Sequence, residues 1–202
     1  ITGTSVEDVT LNAAAGNVTV GVIGAADGQI SDVVLTGTTI NLGGNITTDD
    51  DADAGDVDIN GNVILTAAVT IDTTDSAVGN VDGTFDISGT VDGAFDLDVV
   101  SGVAIAGITG VIGGTTALAT LDINKTAGAT GAVTISNNIG AGAAGVTGAL
   151  EIGNANTSTL TLAGTVYNAN AATYTAATGE NIDLTAGTTT TFTSSADAIT
   201  FA

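Results

Sequence analysis

The chain has 202 residues, a formal net charge of −21 and a mean hydropathy of +0.46. It has no His, Cys, Pro, Met or Trp, and Lys125 is its only cation. This excludes a disulfide framework, a soft-metal site and nucleophilic triads that need His or Cys. It also excludes phosphate-backbone binding, which draws its affinity from Lys and Arg, so no nucleic acid is expected as a partner. The charge repels anionic membranes and attracts divalent cations or basic surfaces.

In chain order, VTLN (9–12), NVTVGV (17–22), TINL (39–42), DVDIN (56–60) and VTID (69–72) alternate apolar with polar residues. The same two-residue period continues through TFDIS, FDLDV, TLDIN (120–124), VTIS (133–136), LEIG (150–153), TLTLAG, NIDLTAG and AITFA. Alternation over three to six residues predicts strands with one buried face. No stretch carries a helical period, and Gly, Asn, Asp and Ser punctuate the strands as turn formers. Strands this short, with four Phe and two Tyr to fill a core, suit coils stacked on one another better than a sandwich. The absence of Pro agrees, because a coil paired above and below needs its backbone N–H groups. Related words such as GDVDI and GTFDI, or TLDI and ALEI, recur at intervals of roughly 20 to 30 residues. The fold expected is therefore all-β: a right-handed parallel β-helix (β-solenoid) of about eight to ten coils, roughly 40 to 50 Å long at about 4.8 Å per coil. It forms a single segment over residues 1–202. A chain that opens on Ile1 and holds no Met reads as a processed or excerpted part of a longer repetitive protein.

Residues 99–121 run without a charge and are long enough to span a bilayer. Their interleaved Gly, Ser and Thr oppose a helix, so the stretch is expected to form buried strands and turns. The densest acidic stretch is TTDDDADAGDVDIN. Asp49, Asp51, Asp53 and Asp56 within it resemble the start of a calcium loop, in which alternate carboxylates converge on a hard cation. Ala54 stands where an EF-hand needs Gly and no Glu closes the loop, so a solvated acidic loop is the competing reading. Ca²⁺ is the one cofactor the sequence suggests, and none is required.

Within strands, Asp56, Asp58, Asp96 and Asp98 alternate with core positions and should point outward. In coils about 4.8 Å apart, two facing carboxylates repel by roughly 0.9 kcal/mol even at the dielectric of water. The stacked acids are therefore expected to be offset in register and screened by diffuse Ca²⁺ or Na⁺. The near-duplicate VDGTFDISG (81–89) and VDGAFDLDV (91–99) read as strand, turn, strand. Phe85, Ile87, Phe95 and Leu97 point inward, and Asp82-Gly83 and Asp92-Gly93 make the bends. Phe85 and Phe95 are then a stacked pair that pins the register. Lys125 is read as a surface charge in preference to a cross-linking residue.

GDVDINGNVILTAAVTIDTT (55–74), GTFDISGTVDGAFDLDV (83–99), IGGTTALATLDI (112–123) and GENIDLTAGTTTTF (179–192) resemble the β-strand repeats of large bacterial exoproteins, the filamentous-haemagglutinin-like and autotransporter-type adhesins. The resemblance implies a right-handed parallel β-helix, secretion to the cell surface, and a role in adhesion or as a stalk. Such adhesins carry more Lys and Arg, which favours a structural or matrix role here over receptor binding.

Polysaccharide cleavage on a β-helix needs paired carboxylates assisted by cationic groups. Asp49 and Asp50 are adjacent, but His and Arg are missing and no aromatic platform is evident, so no enzyme activity is expected. The Thr-rich strands TLTL and TTTTFT are too irregularly spaced for an ice-binding array. The functional expectation is a non-catalytic rod or stalk of an exported, extracellular or cell-surface protein. The alternatives are a subunit stacking end to end into a filament or sheath, and a calcium- or glycan-binding module. Partners are then copies of itself or adjoining repeats, with a host or matrix surface.

Overall fold

The computed structural model describes residues 1–4, 7–25, 30–48, 55–74, 81–125, 129–141 and 145–202. The first coil holds β1 (Val9–Asn12) and β2 (Asn17–Val20), and the second β3 (Val33–Leu42) and β4 (Ile46–Thr47). The third holds β5 (Val57–Leu65) and β6 (Val69–Asp72), and the fourth β7 (Phe85–Ile87), β8 (Val91–Asp92) and β9 (Leu97–Val100). Next come β10 (Ala106–Ile108) with β11 (Leu121–Ile123), β12 (Val133–Ile135) with β13 (Val146–Ile152), and β14 (Thr159–Leu162) with β15 (Val166–Tyr174). The last coil holds β16 (Asn181–Leu184), β17 (Thr191–Ser194) and β18 (Ile199–Phe201).

Every strand pairing is parallel and joins one coil to the next. The chain is thus a β-solenoid of about seven turns. The interior is built from columns in strict register. One runs Val9, Val33, Val57, Phe85, Ala106, Val133, Leu160, Ile182. A second runs Val18, Ile40, Val63, Val91, Ile112, Ile139, Tyr167, Phe192. A third runs Ile23, Ile46, Ile71, Val99, Ile123, Ile152, Tyr174, Phe201. Each column has eight rungs, and eight rungs enclose seven rises, roughly 34 Å at about 4.8 Å each. The expected eight to ten coils differ little from this: the strands fall in eight successive coils, whose eight rungs bound about seven full turns. Coil length runs from 21 residues (Phe85 to Ala106) to 29 (Ile123 to Ile152), so the repeat has no fixed length.

The alternating pattern puts β-branched and Leu side chains into these columns, where nearly all are fully buried. This dry stack, with parallel hydrogen bonding between coils, supplies the cohesion. Four strands exceed the predicted length: β3, β5 and β15 each continue around a corner and β13 runs to seven residues; register shifts fall between Thr36 and Thr39 in β3 and between Val146 and Ala149 in β13. The uncharged run 99–121 forms parts of β9, β10 and β11 with turns between them. Among the described residues no helix is long and apolar enough to cross a membrane.

The duplicated nonapeptides do not occupy equivalent places. Phe85 is buried in β7 between Val57 and Ala106, whereas Phe95 lies in a turn, 40% exposed. The expected Phe85–Phe95 stack is therefore not formed: their ten-residue spacing is less than half a coil, and only residues one coil apart stack.

Candidate functional site: carboxylate ladders and the open last rung

Asp and Asn side chains have a recurrent structural task. At the corner before the first column, Asp32 Oδ1 accepts the backbone N–H of Asp56 at 2.9 Å, and Asp56 Oδ1 accepts that of Thr84 at 2.6 Å and its hydroxyl at 3.0 Å. Asp8 Oδ1 faces the Asp32 N–H at 3.4 Å in the same way. Elsewhere Asp92 Oδ1 accepts from the Thr115 and Thr116 N–H groups, both at 2.8 Å, Asp82 from Val103 at 2.6 Å, and Asn138 from Thr165 at 2.7 Å. Each satisfies an N–H of the next coil at a bend, where the strand ladder leaves donors over. Of the predicted calcium-loop residues, Asp56 is thus a corner acceptor. Asp49, Asp51 and Asp53 lie outside the described residues. Among the described residues no group of three or more acidic, His or Cys side chains is placed to hold a metal ion.

Five of the outward acids are stacked in register, correcting the expected offset for them. Asp58 faces Asp86, and Asp98, Asp122 and Glu151 occupy three successive rungs. An offset would need a one-residue slip, which would turn every buried residue of the strand outward; core burial therefore overrides the repulsion. Lys125 lies beside the second stack. Its Nζ donates to Asp122 Oδ2 and, at 3.0 Å, to Glu151 Oε2. The side chain is 44% exposed, but it is an ion-pair partner and more than a bare surface charge. These two hydrogen bonds hold the ammonium well above the ordinary lysine range.

Burial, with Asp58 adding to it, pushes the Asp86 carboxyl up from 3.8. Burial also raises Asp98, against the pull of Lys125 and with Asp72 adding, and it raises Asp122 despite the Lys125 hydrogen bond. Asp122 Oδ1 is buried without a hydrogen-bond partner, consistent with this direction. A carboxyl raised in the fold binds its proton more tightly folded than unfolded. The stability linked to it is full below 3.8 and is lost as pH rises through the folded value. The melting temperature is therefore expected to rise when pH is lowered from 7 towards 4, measured by thermal circular dichroism. A melting temperature that falls over that range would count against the stacked acids as the dominant titrating groups.

The far end of the solenoid is built differently. Tyr167, Tyr174, Phe192 and Phe201 gather there. Phe192 stacks on Tyr167 with ring centroids 5.0 Å apart, Phe201 stacks on Tyr174 at 5.2 Å, and Phe192 meets Phe201 edge to face at 5.0 Å. Both Tyr are buried, whereas Phe201 is 50% and Leu184 52% exposed. Among the described residues β16, β17 and β18 each pair with one strand only, so a strand edge and an apolar cross-section end together. An open hollow of about 400 Å³ lies against Ala176, Thr178, Glu180, Ile182 and Phe201. Four of the six aromatic residues fall after residue 166, a signal that sequence reading passed over. Comparison with family models, with curated proteins and with solved structures finds no match to this chain.

Proposed function

We propose that the chain is a non-catalytic structural segment, a rod or stalk of an exported bacterial surface protein with a structural or adhesive role. The observation that carries this reading is the uninterrupted register of eight rungs in three interior columns. Polar side chains inside or at the corners are occupied in holding coils together: Asp and Asn accept backbone N–H groups, and the stacked acids form an acidic coat. The setting rests on the resemblance of residues 55–74, 83–99, 112–123 and 179–192 to exoprotein repeats. A net charge of −21 keeps such a rod soluble and apart from anionic lipid.

An antibody raised against residues 1–202 should label intact, unpermeabilised cells of the source organism, and external protease should remove the label. Labelling that requires permeabilisation would overturn the surface assignment.

A further inference from the structure

We infer that Asn45 is an acceptor for N-linked glycosylation, its carboxamide nitrogen taking a sugar from a glycosyl diphosphate. The site goes beyond the rod reading and does not depend on it.

The acceptor tripeptide Asn-x-Thr/Ser occurs four times: Asn17-Val18-Thr19, Asn45-Ile46-Thr47, Asn124-Lys125-Thr126 and Asn156-Thr157-Ser158. The chain is rich in Thr, so the tripeptide alone assigns nothing and the fold has to sort the four. Asn124 is fully buried, and both ends of its carboxamide are bonded to Ser101. A sugar there would break the corner. Asn17, Asn45 and Asn156 are exposed. At Asn17 the hydroxyl of the tripeptide is engaged, because Thr19 Oγ1 accepts from Asn41 Nδ2 at 3.2 Å. Asn156 lies in a turn, and its carboxamide makes no hydrogen bond among the described residues, so its nitrogen has no set direction.

Asn45 meets every condition. It stands just before β4 with Ile46 in the core, so strand alternation turns Asn45 and the partly exposed Thr47 to one outer face. Asn45 Oδ1 accepts the Thr70 N–H of the next coil at 2.9 Å. A carboxamide anchored through its oxygen directs Nδ2 away from that bond. Neither Nδ2 nor the Thr47 hydroxyl has a hydrogen-bond partner among the described residues. Gly43 and Gly44 precede Asn45, so no side chain on that side crowds the nitrogen. In the transfer Nδ2 bonds to C1 of the sugar as the C1–O bond to the diphosphate breaks. The diphosphate leaves with the bonding pair, and one Nδ2 proton passes to a base of the transferase. The carbonyl oxygen is untouched, so the modified residue keeps its bond to Thr70.

The test uses the native chain recovered from cells of the source organism. Cleavage before aspartate releases residues 32–48, in which Asn45 heads the one acceptor tripeptide. Mass spectrometry should find this peptide heavier by whole sugar residues, with fragmentation placing them on Asn45. The addition should be lost in Asn45→Gln and in Thr47→Ala, which leaves Asn45 and its bond to Thr70 in place, and kept in Thr47→Ser. An unmodified parent peptide, a sugar located on a threonine, or an addition that survives Thr47→Ala overturns the proposal. Surface labelling of intact cells with a bare 32–48 peptide would remove the acceptor site and leave the surface reading. A modified peptide from cells that label only when permeabilised would do the reverse.

Discussion

Replacing Gly89 by Ala should destabilise the solenoid by about 3 kcal/mol or more, lowering the melting temperature by roughly 6 to 12 °C for a chain of this size. A Cβ at Gly89 would lie 2.1 Å from the carbonyl oxygen of Gly61 and 2.4 Å from its carbon. The obstacle is backbone of the coil before it, not the tip of a side chain that could turn away. The same holds along a column: a Cβ at Gly61 would lie 2.1 Å from Gly37 O, and one at Gly110 2.0 Å from Gly89 O. These glycines mark a corner where successive coils approach too closely for any side chain. To admit a methyl group the coils must separate by more than an ångström, which strains rung bonds nearby such as Ser88 N–H to Ile59 O at 3.0 Å. In a molecule whose coils touch only their neighbours, loss in the fourth coil weakens both halves, and unfolding should become less cooperative. Gly21, with no atom within 4 Å of its Cβ position, is the control: Gly21→Ala should change stability by less than about 0.5 kcal/mol. Urea titration of the two variants decides it. A Gly89→Ala curve as close to the parent as that of Gly21→Ala would show that the coils are not held at this spacing.

The glycine column shows where sequence reading reached and where it stopped. Alternation in VTID or FDIS placed Val69, Ile71, Phe85 and Ile87 inward, as observed, because a two-residue period follows from strand geometry alone. The stacking partners could not be read in the same way. Gly61, Gly89 and Gly110 stand at intervals of 28 and 21 residues, so no fixed period reveals them as one column. The aspartates gave the same difficulty. Asp86 and Asp96 occupy like places in two copies of one nonapeptide, yet Asp86 faces Asp58 while Asp96 accepts the Thr120 hydroxyl at 2.7 Å. Local sequence sets which way a side chain points. Loop length sets what it meets, and loop length here varies from coil to coil.

The second large effect is expected at Asn124, the centre of a buried polar column beside the third apolar one. Asn124 Oδ1 accepts the Ser101 N–H at 2.8 Å, and its Nδ2 donates to Ser101 Oγ at 2.9 Å. In the following coil Asn154 Nδ2 donates to the Asn124 carbonyl at 2.6 Å and to that of Ala129 at 2.8 Å. Thr48 and Thr73 do related work in earlier coils, donating to Gly55 O at 2.5 Å and Gly83 O at 2.6 Å. Asn124→Ala strands the Ser101 N–H in a site without water access, at about 1–3 kcal/mol. It also places Ala at φ +50, a left-handed conformation that Asn tolerates and Ala resists by about 1–2 kcal/mol. The expected loss is roughly 3 kcal/mol. Asn124→Gly separates the two causes: it removes the strain and keeps the orphaned donor, so it should lie about 1 kcal/mol above Ala. Asn124→Asp keeps the acceptor for Ser101 but buries a charge, so its deficit should shrink as pH falls and the carboxyl protonates. Chemical denaturation of the three variants at pH 7 and pH 4 tests the assignment. If Gly and Ala are equally destabilising, backbone strain is not a cause. If Asp shows no recovery in acid beyond that of the parent, the corner is wetter than its complete burial requires.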